Sequence, residues 1–173
     1  MFTRLAVDEI APTYLVVTRL FLASILLGPI FIRKKDLILM SKEIPSILIL
    51  GIINAALPFF LFAYAAQDLS AGMLSILNGT SPLFALIIAI TWFRQNTTLI
   101  QILGLGLGFI GLMVFIGTDQ ISFIFYPVLL CLIGAFCYAY SNNILFRLNH
   151  IKSAALASVT MISGFFFSLP LIF

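Results

Sequence analysis

The sequence has 173 residues, of which 62% are hydrophobic and only 9% are charged, and its formal net charge at pH 7 is +3. A soluble domain has roughly 25% charged residues on average, because its surface must face water. This composition therefore excludes a soluble enzyme and predicts an integral membrane protein. A nucleic-acid-binding domain is excluded as well, since the sequence has no basic face with interleaved aromatic residues.

Six apolar stretches follow one another along the chain, and each has the length of about 20 residues that a helix needs to cross the hydrocarbon core. Barrel strands would be about ten residues long with alternating polarity, so helices are expected instead. The predicted spans are 12–32, 45–66, 70–93, 98–117, 122–146 and 153–173. The predicted fold is an all-α, polytopic membrane helical bundle of about six transmembrane helices.

The connections between the spans differ in charge. Seven of the nine Lys and Arg residues lie in the connections 33–44, 94–97 and 147–152, whereas the alternate connections hold Asp68 and Asp119 and no basic residue. The positive-inside rule makes the basic connections cytoplasmic. The predicted location is the cell membrane, which would be the inner membrane in a bacterium. Residues 1–11 would then lie outside, and a missing helix before residue 1 would explain that position.

Three strings of the sequence, Pro12 with 18–23, then 69–84, then 101–117, together resemble EamA-type transporters of the drug/metabolite transporter superfamily. The first is Pro12 followed by 18–23, which is similar to the Pro…Arg-Phe…Ala pattern of that family's second helix. The second is 69–84, which is similar to the fourth helix with its small residues and Ser-Pro-x-Phe core. The third is 101–117, which is similar to the Gln-x-x-Gly…Gly-x-x-Gly fifth helix.

The resemblance implies ten helices, built as two five-helix repeats of opposite orientation. On that template residues 1–117 are the remainder of the first repeat and residues 118–173 are the start of the second. The chain would lack the first helix and the last three, as a fragment or a truncated gene would. The likeness of Pro29-Ile30-Phe31 to Pro170-Leu171-Ile172 agrees weakly with a repeat.

Arg19 is the strongest single candidate for a functional residue. It lies seven residues inside the first predicted span, roughly 10 Å from the start at 1.5 Å per residue. A charge at that depth costs several kcal/mol unless it is paired or hydrated. Arg19 would either bind an anionic group, such as a substrate carboxylate, from the bundle interior, or snorkel to the outer headgroups. The sequence leaves both interpretations open.

All six carboxylates lie outside the predicted spans, and His150 lies in a connection. No membrane-embedded acid is therefore available for a proton relay. An intramembrane enzyme is disfavoured for the same reason, because such chemistry usually needs His, Asp or Glu near the membrane. The sequence predicts no catalytic residue, no metal site and no cofactor.

Prolines interrupt two predicted spans at Pro58 and Pro82. A proline removes one backbone donor and leaves a carbonyl free near position i−4, which puts Asn54 and Asn78 beside exposed polar backbone. Such broken helices form substrate sites in repeat-built transporters, although a simple kink with polar packing is the alternative. The candidate substrate-binding residues are Arg19, Asn54, Asn78, Thr80, Ser81 and Pro82. Further candidates to line a cavity are Tyr64, Tyr138, Tyr140, Asn142 and Asn143.

Glycines recur in the fourth predicted span. The string 106–111 fits the dinucleotide pattern GxGxxG, but no strand precedes it and it lies wholly within an apolar stretch, so a nucleotide site is excluded. Gly104, Gly108 and Gly111 instead predict a close helix–helix contact.

The sequence and the resemblance together predict a secondary transporter that exports small metabolites such as amino acids by alternating access. The alternative is a non-transporting membrane structural or assembly subunit, or a degenerate truncated transporter. The expected partners are the lipid bilayer and a small-molecule substrate, with no nucleic acid, and a homodimer is left open.

Overall fold

A computed structural model describes residues 11–31, 34–92, 94, 96–116 and 125–171. The helices among these residues are α1 Pro12–Phe31, α2 Lys34–Met40, α3 Ile44–Ala65, α4 Ala71–Asn78, α5 Ser81–Thr91, α6 Leu99–Ile116, α7 Phe125–Arg147 and α8 Ser153–Ser168. A 3₁₀ turn, Leu169–Leu171, extends α8. The ranges described contain no strand. The predicted all-α bundle is confirmed.

Four helical segments among the described residues are long and apolar enough to cross a membrane. They are Ile44–Ala65, Ala71–Thr91, Phe125–Arg147 and Ser153–Leu171, and they lie at the second, third, fifth and sixth predicted spans. Shorter apolar helices, Pro12–Gly28 and Leu99–Gly111, lie at the first and fourth. The short helix α2 lies in a connection for which no element was predicted.

The bundle is built around α7 and α8. Helix α1 packs along α8, α3 packs against both α7 and α8, and α5 packs on α7. Helices α1 and α8 are joined by a hydrogen bond that Ser158 Oγ donates to the Leu27 carbonyl oxygen at 3.3 Å. A ring contact adds to it, with the Phe21 and Phe165 centroids 5.3 Å apart. The first and last described helices of the chain are therefore neighbours in space.

A small apolar cluster joins the helices at the end of the bundle that carries the basic connections. Met40 at the end of α2 packs with Ile47 of α3 and with Leu148 and Ile151, which follow α7. All four side chains are buried. This cluster fixes the connections 41–43 and 148–152 against each other.

Helices α3 and α8 approach each other closely at Gly51 and Gly164. A Cβ atom added to Gly51 would lie 2.9 Å from the Gly164 nitrogen, and one added to Gly164 would lie 2.8 Å from the Ala55 Cβ. Real Cβ atoms essentially never come so close to other atoms. Small residues at these positions therefore allow the two helices to touch, as is common where helices pack in membranes.

The glycines of α6 do not take part in such a contact. A Cβ atom at Gly104, Gly108 or Gly111 would meet nothing within 4 Å. Helix α6 packs only loosely, against α4 and α5, and most of its described side chains are exposed. The close contact predicted at these glycines is thus not made by the described part of this chain, because the face that carries them points away from the bundle.

Candidate functional site

Arg19 of α1 lies over an aromatic ring of α3. Its Cζ atom is 4.5 Å from the centroid of the Phe59 ring. Arg19 is exposed, and none of the described carboxylates pairs with it. A cation–π contact is worth about 0.5–2 kcal/mol, which is less than the several kcal/mol that a desolvated charge costs. Arg19 therefore still needs water, headgroups or an anion.

Asn54 lies in a distorted turn of α3. The segment Gly51–Ala56 is π-helical, and Pro58 is the second residue after it. The Asn54 Oδ1 accepts a hydrogen bond of 2.8 Å from Ser141 Oγ of α7. Its Nδ2 has no hydrogen-bond partner among the residues described. Asn54 thus joins two helices with one end of its amide and offers donors at the other.

Arg19, Asn54, Phe59, Tyr138 and Ser141 form one group at the junction of α1, α3 and α7, which we call the central cluster. Ser141 Oγ also lies 2.8 Å from the Tyr138 carbonyl oxygen, one turn away on α7. The Tyr138 ring stacks on Phe62 of α3 at a centroid distance of 6.2 Å. Two of the predicted site residues, Arg19 and Asn54, are therefore brought to the same junction.

The segment 78–82 is a break between two helices. Helix α4 ends at Asn78, and α5 begins at Ser81 with Pro82 in its first turn. Thr80 Oγ1 donates to the Leu77 carbonyl at 2.6 Å, and Ser81 Oγ donates to the Asn78 carbonyl at 2.6 Å. The hydroxyls thus satisfy carbonyls at the end of α4, which is a structural role.

One cavity of about 310 Å³ opens at the end of the bundle opposite the basic connections, and we call it the outer cavity. Its lining is mostly aromatic and aliphatic: Thr13, Phe60, Leu61, Tyr64, Tyr126, Leu130 and Leu171. Thr13 Oγ1 and the Tyr64 hydroxyl lie 3.0 Å apart, so α1 and α3 are joined at its rim. Tyr64, a predicted cavity residue, does line this cavity.

Another cavity, of about 440 Å³, lies between α5, α6 and α7 near the basic connections, and we call it the inner cavity. Its polar lining residues are Asn96, Thr97, Gln101, Asn142 and Asn143, and its apolar ones are Pro82, Ala85, Leu86, Ala89, Leu105 and Phe146. Asn142 and Asn143 were among the candidates to line a cavity. Pro82, a predicted site residue, lines this cavity, whereas Arg19 belongs to the central cluster.

Helix α7 contributes residues to the outer cavity, the central cluster and the inner cavity, in that order along the chain. Tyr126 and Leu130 line the outer cavity, Tyr138 and Ser141 belong to the central cluster, and the last two turns line the inner cavity. Phe59 and Ser141 were not predicted as site residues. The amphiphilic string Tyr138–Asn143 was the available signal for Ser141, whereas an ordinary aromatic residue such as Phe59 carries no signal in an apolar span.

The sequence model of the EamA-like transporter family matches residues 1–117 of the chain. No curated protein and no solved structure matches the chain significantly. The family match covers well over half of the 173 residues and includes the strings on which the resemblance was based. The chain belongs to the EamA-like transporter family.

Proposed function

We propose that the protein is a secondary transporter that moves small metabolites such as amino acids outward by alternating access. The observation that carries the proposal is the central cluster, in which Arg19 lies over Phe59 at the junction of α1 and α3 and pairs with none of the carboxylates in the described part of the chain. Family membership supports the transport class. Alternating access requires a site that is reached first from one side of the membrane and then from the other.

The chemistry of the central cluster favours a carboxylate-bearing solute. The Arg19 guanidinium is a permanent cation with a planar set of N–H donors that matches a carboxylate. The free Nδ2 of Asn54 is a further donor on the neighbouring helix. No embedded acid is present in the described spans, so an ammonium group of the solute would be held by carbonyls, hydroxyls and aromatic faces.

Two irregular segments supply places where the bundle can bend. The π-helical turn Gly51–Ala56 and the break between α4 and α5 both depart from regular α-helical hydrogen bonding. Such segments form hinges and substrate sites in membrane transporters. We propose that the hydrogen bond between Thr13 and Tyr64, at the rim of the outer cavity, breaks and re-forms as the outer side opens and closes.

Transport itself is tested in proteoliposomes that contain the full-length protein. We expect a preloaded gradient of labelled neutral amino acids to dissipate at least about tenfold faster than in protein-free liposomes, and an unlabelled carboxylate solute to compete. Equal flux with and without the protein, across a broad metabolite panel, would instead favour a non-transporting subunit.

The orientation proposed for the bundle places the connections 33–44, 94–97 and 147–152 in the cytoplasm. In a background without Cys131 and Cys137, we expect Asn149→Cys to resist a membrane-impermeant maleimide in intact cells. Asp68→Cys, at the opposite end of the bundle, should react there. Both positions are exposed, so both should react after permeabilisation. Labelling of Asn149→Cys in intact cells would reverse the proposed orientation.

A further inference from the structure

The inner cavity is lined by four side-chain amides, which come from three parts of the chain. Asn142 and Asn143 lie near the end of α7, Gln101 lies in the first turn of α6, and Asn96 precedes that helix. We propose that this cavity is a binding site for a small uncharged solute that carries both hydrogen-bond donors and acceptors, with a primary amide as the best match. This site is separate from the central cluster and does not depend on the transport proposal.

Backbone hydrogen bonds hold two of these amides in fixed orientations. Asn143 Nδ2 donates to the Ala139 carbonyl at 3.0 Å, which leaves its Oδ1 as an acceptor. Gln101 Oε1 accepts from the Thr98 nitrogen at 2.9 Å, which leaves its Nε2 with donors. The side chains of Asn96 and Asn142 make no hydrogen bond with the described residues. The cavity therefore presents both donors and acceptors, which a primary amide can pair with reciprocally.

The lining of this cavity carries no formal charge. The start of α6 also carries a reciprocal N-terminal cap. Thr98 Oγ1 accepts a hydrogen bond from the Gln101 nitrogen at 3.4 Å, and Gln101 Oε1 accepts one from the Thr98 nitrogen. This reciprocal cap occupies the Thr98 and Gln101 backbone donors, two of those that could otherwise bind an anion. A charged solute would lose hydration here without gaining a countercharge, so the lining selects against it.

The shape of the cavity suits a solute that has one polar end. Leu86, Phe146 and the Pro82 ring form apolar walls beside the amides. A volume of about 440 Å³ is within the range of roughly 300–1,000 Å³ for small-molecule sites. The apolar part of a solute would lie against these walls while its polar end faces the amides.

Trp92 provides a reporter next to the cavity. It is the one tryptophan of the sequence, it follows the lining residue Ala89 by one turn, and its ring meets that of Tyr140 edge-on at 6.1 Å. We expect hexanamide, which has a primary amide at one end and an apolar tail, to change the Trp92 fluorescence of the intact chain in detergent micelles in a saturable way. Hexanoate, with a carboxylate in place of the amide, should bind at least about tenfold more weakly, as should the primary amine hexylamine.

The lining residues are tested by Asn142→Leu and Asn96→Leu, which change two exposed amides at separate places in the chain. Each should weaken binding of the neutral probe about threefold or more, which is the range for one lost hydrogen bond. Asn149→Leu, an exposed amide outside the cavity, should leave binding unchanged. The proposal is overturned if the probe gives no saturable change, if both cavity variants bind like the parent chain, or if the carboxylate analogue binds as well as the amide.

Discussion

Replacement of Gly51 by alanine is expected to destabilise the bundle by about 1–3 kcal/mol, the usual cost of overpacking a well-filled contact. The added Cβ would lie 2.9 Å from the Gly164 nitrogen and closer still to the Ser163 side chain. The backbone atom cannot rotate away, so the helices α3 and α8 must separate. Since α8 also packs along α1, the change should spread beyond the contact itself.

Gly108→Ala is the matched control, because it makes the same chemical change in another apolar helix. A Cβ atom there meets nothing within 4 Å, and alanine favours a helix over glycine by about 0.5–1 kcal/mol. The two substitutions should therefore shift the midpoint of thermal unfolding in micelles in opposite directions, or Gly108→Ala should leave it unchanged. Similar midpoints for both would show that α3 and α8 do not touch at Gly51.

A second-site change separates the steric cause from a general loss of folding. Ser163 faces Gly51, and its Oγ is buried without a hydrogen-bond partner among the described residues. Ser163→Gly should therefore recover part of the stability lost in Gly51→Ala. The recovery should be incomplete, because the Gly164 backbone remains in place. An equal effect of Ser163→Gly on the parent chain and on Gly51→Ala would argue against direct contact.

The contrast between Gly51 and Gly108 shows the limit of sequence reasoning in a membrane protein. Gly104 and Gly108 are small residues four positions apart, which predicts a helix face that a second helix can approach closely. Gly51 and Ala55 have the same spacing and predict such a face equally well. Spacing cannot distinguish a face on lipid from a face on another helix, since lipid tails are as apolar as the side chains of a bundle. The structure assigns the contact to Gly51 and Gly164, which are 113 residues apart in the sequence.

Other features were predictable because they depend on local chemistry. Span length and apolarity located the membrane-crossing helices, and Pro58 and Pro82 marked the two irregular segments. The partner of Asn54 was not predictable, because Ser141 lies 87 residues away and the bond depends on how α3 packs on α7. The short helix α2 was also missed, since a charged seven-residue segment has no strong periodic signal.

Arg19 was selected as a candidate because a charge at its depth in the span is energetically costly. Its replacement is the second substitution from which we expect a large effect. In the full-length protein, Arg19→Ala should lower the transport efficiency for a carboxylate-bearing solute by about 10- to 100-fold. That range corresponds to the loss of a hydrogen-bonded charge contact of about 1.5–3 kcal/mol. The transport efficiency of Arg19→Lys should lie between those of the parent protein and Arg19→Ala, because lysine keeps the charge but not the planar donors. Flux should be measured at equal membrane abundance.

A paired substrate test distinguishes binding from support of the fold. If Arg19 holds the carboxylate, Arg19→Ala should spare transport of an amidated, uncharged form of the same solute. Phe59→Leu is the companion variant: it removes the ring under the guanidinium but keeps the charge, so its effect should be smaller than that of Arg19→Ala and should fall on the carboxylate form. If Arg19 instead snorkels to the outer headgroups, Arg19→Ala should transport both solutes like the parent protein. An equal loss for both solutes would make Arg19 a structural residue that orders α1 on α3.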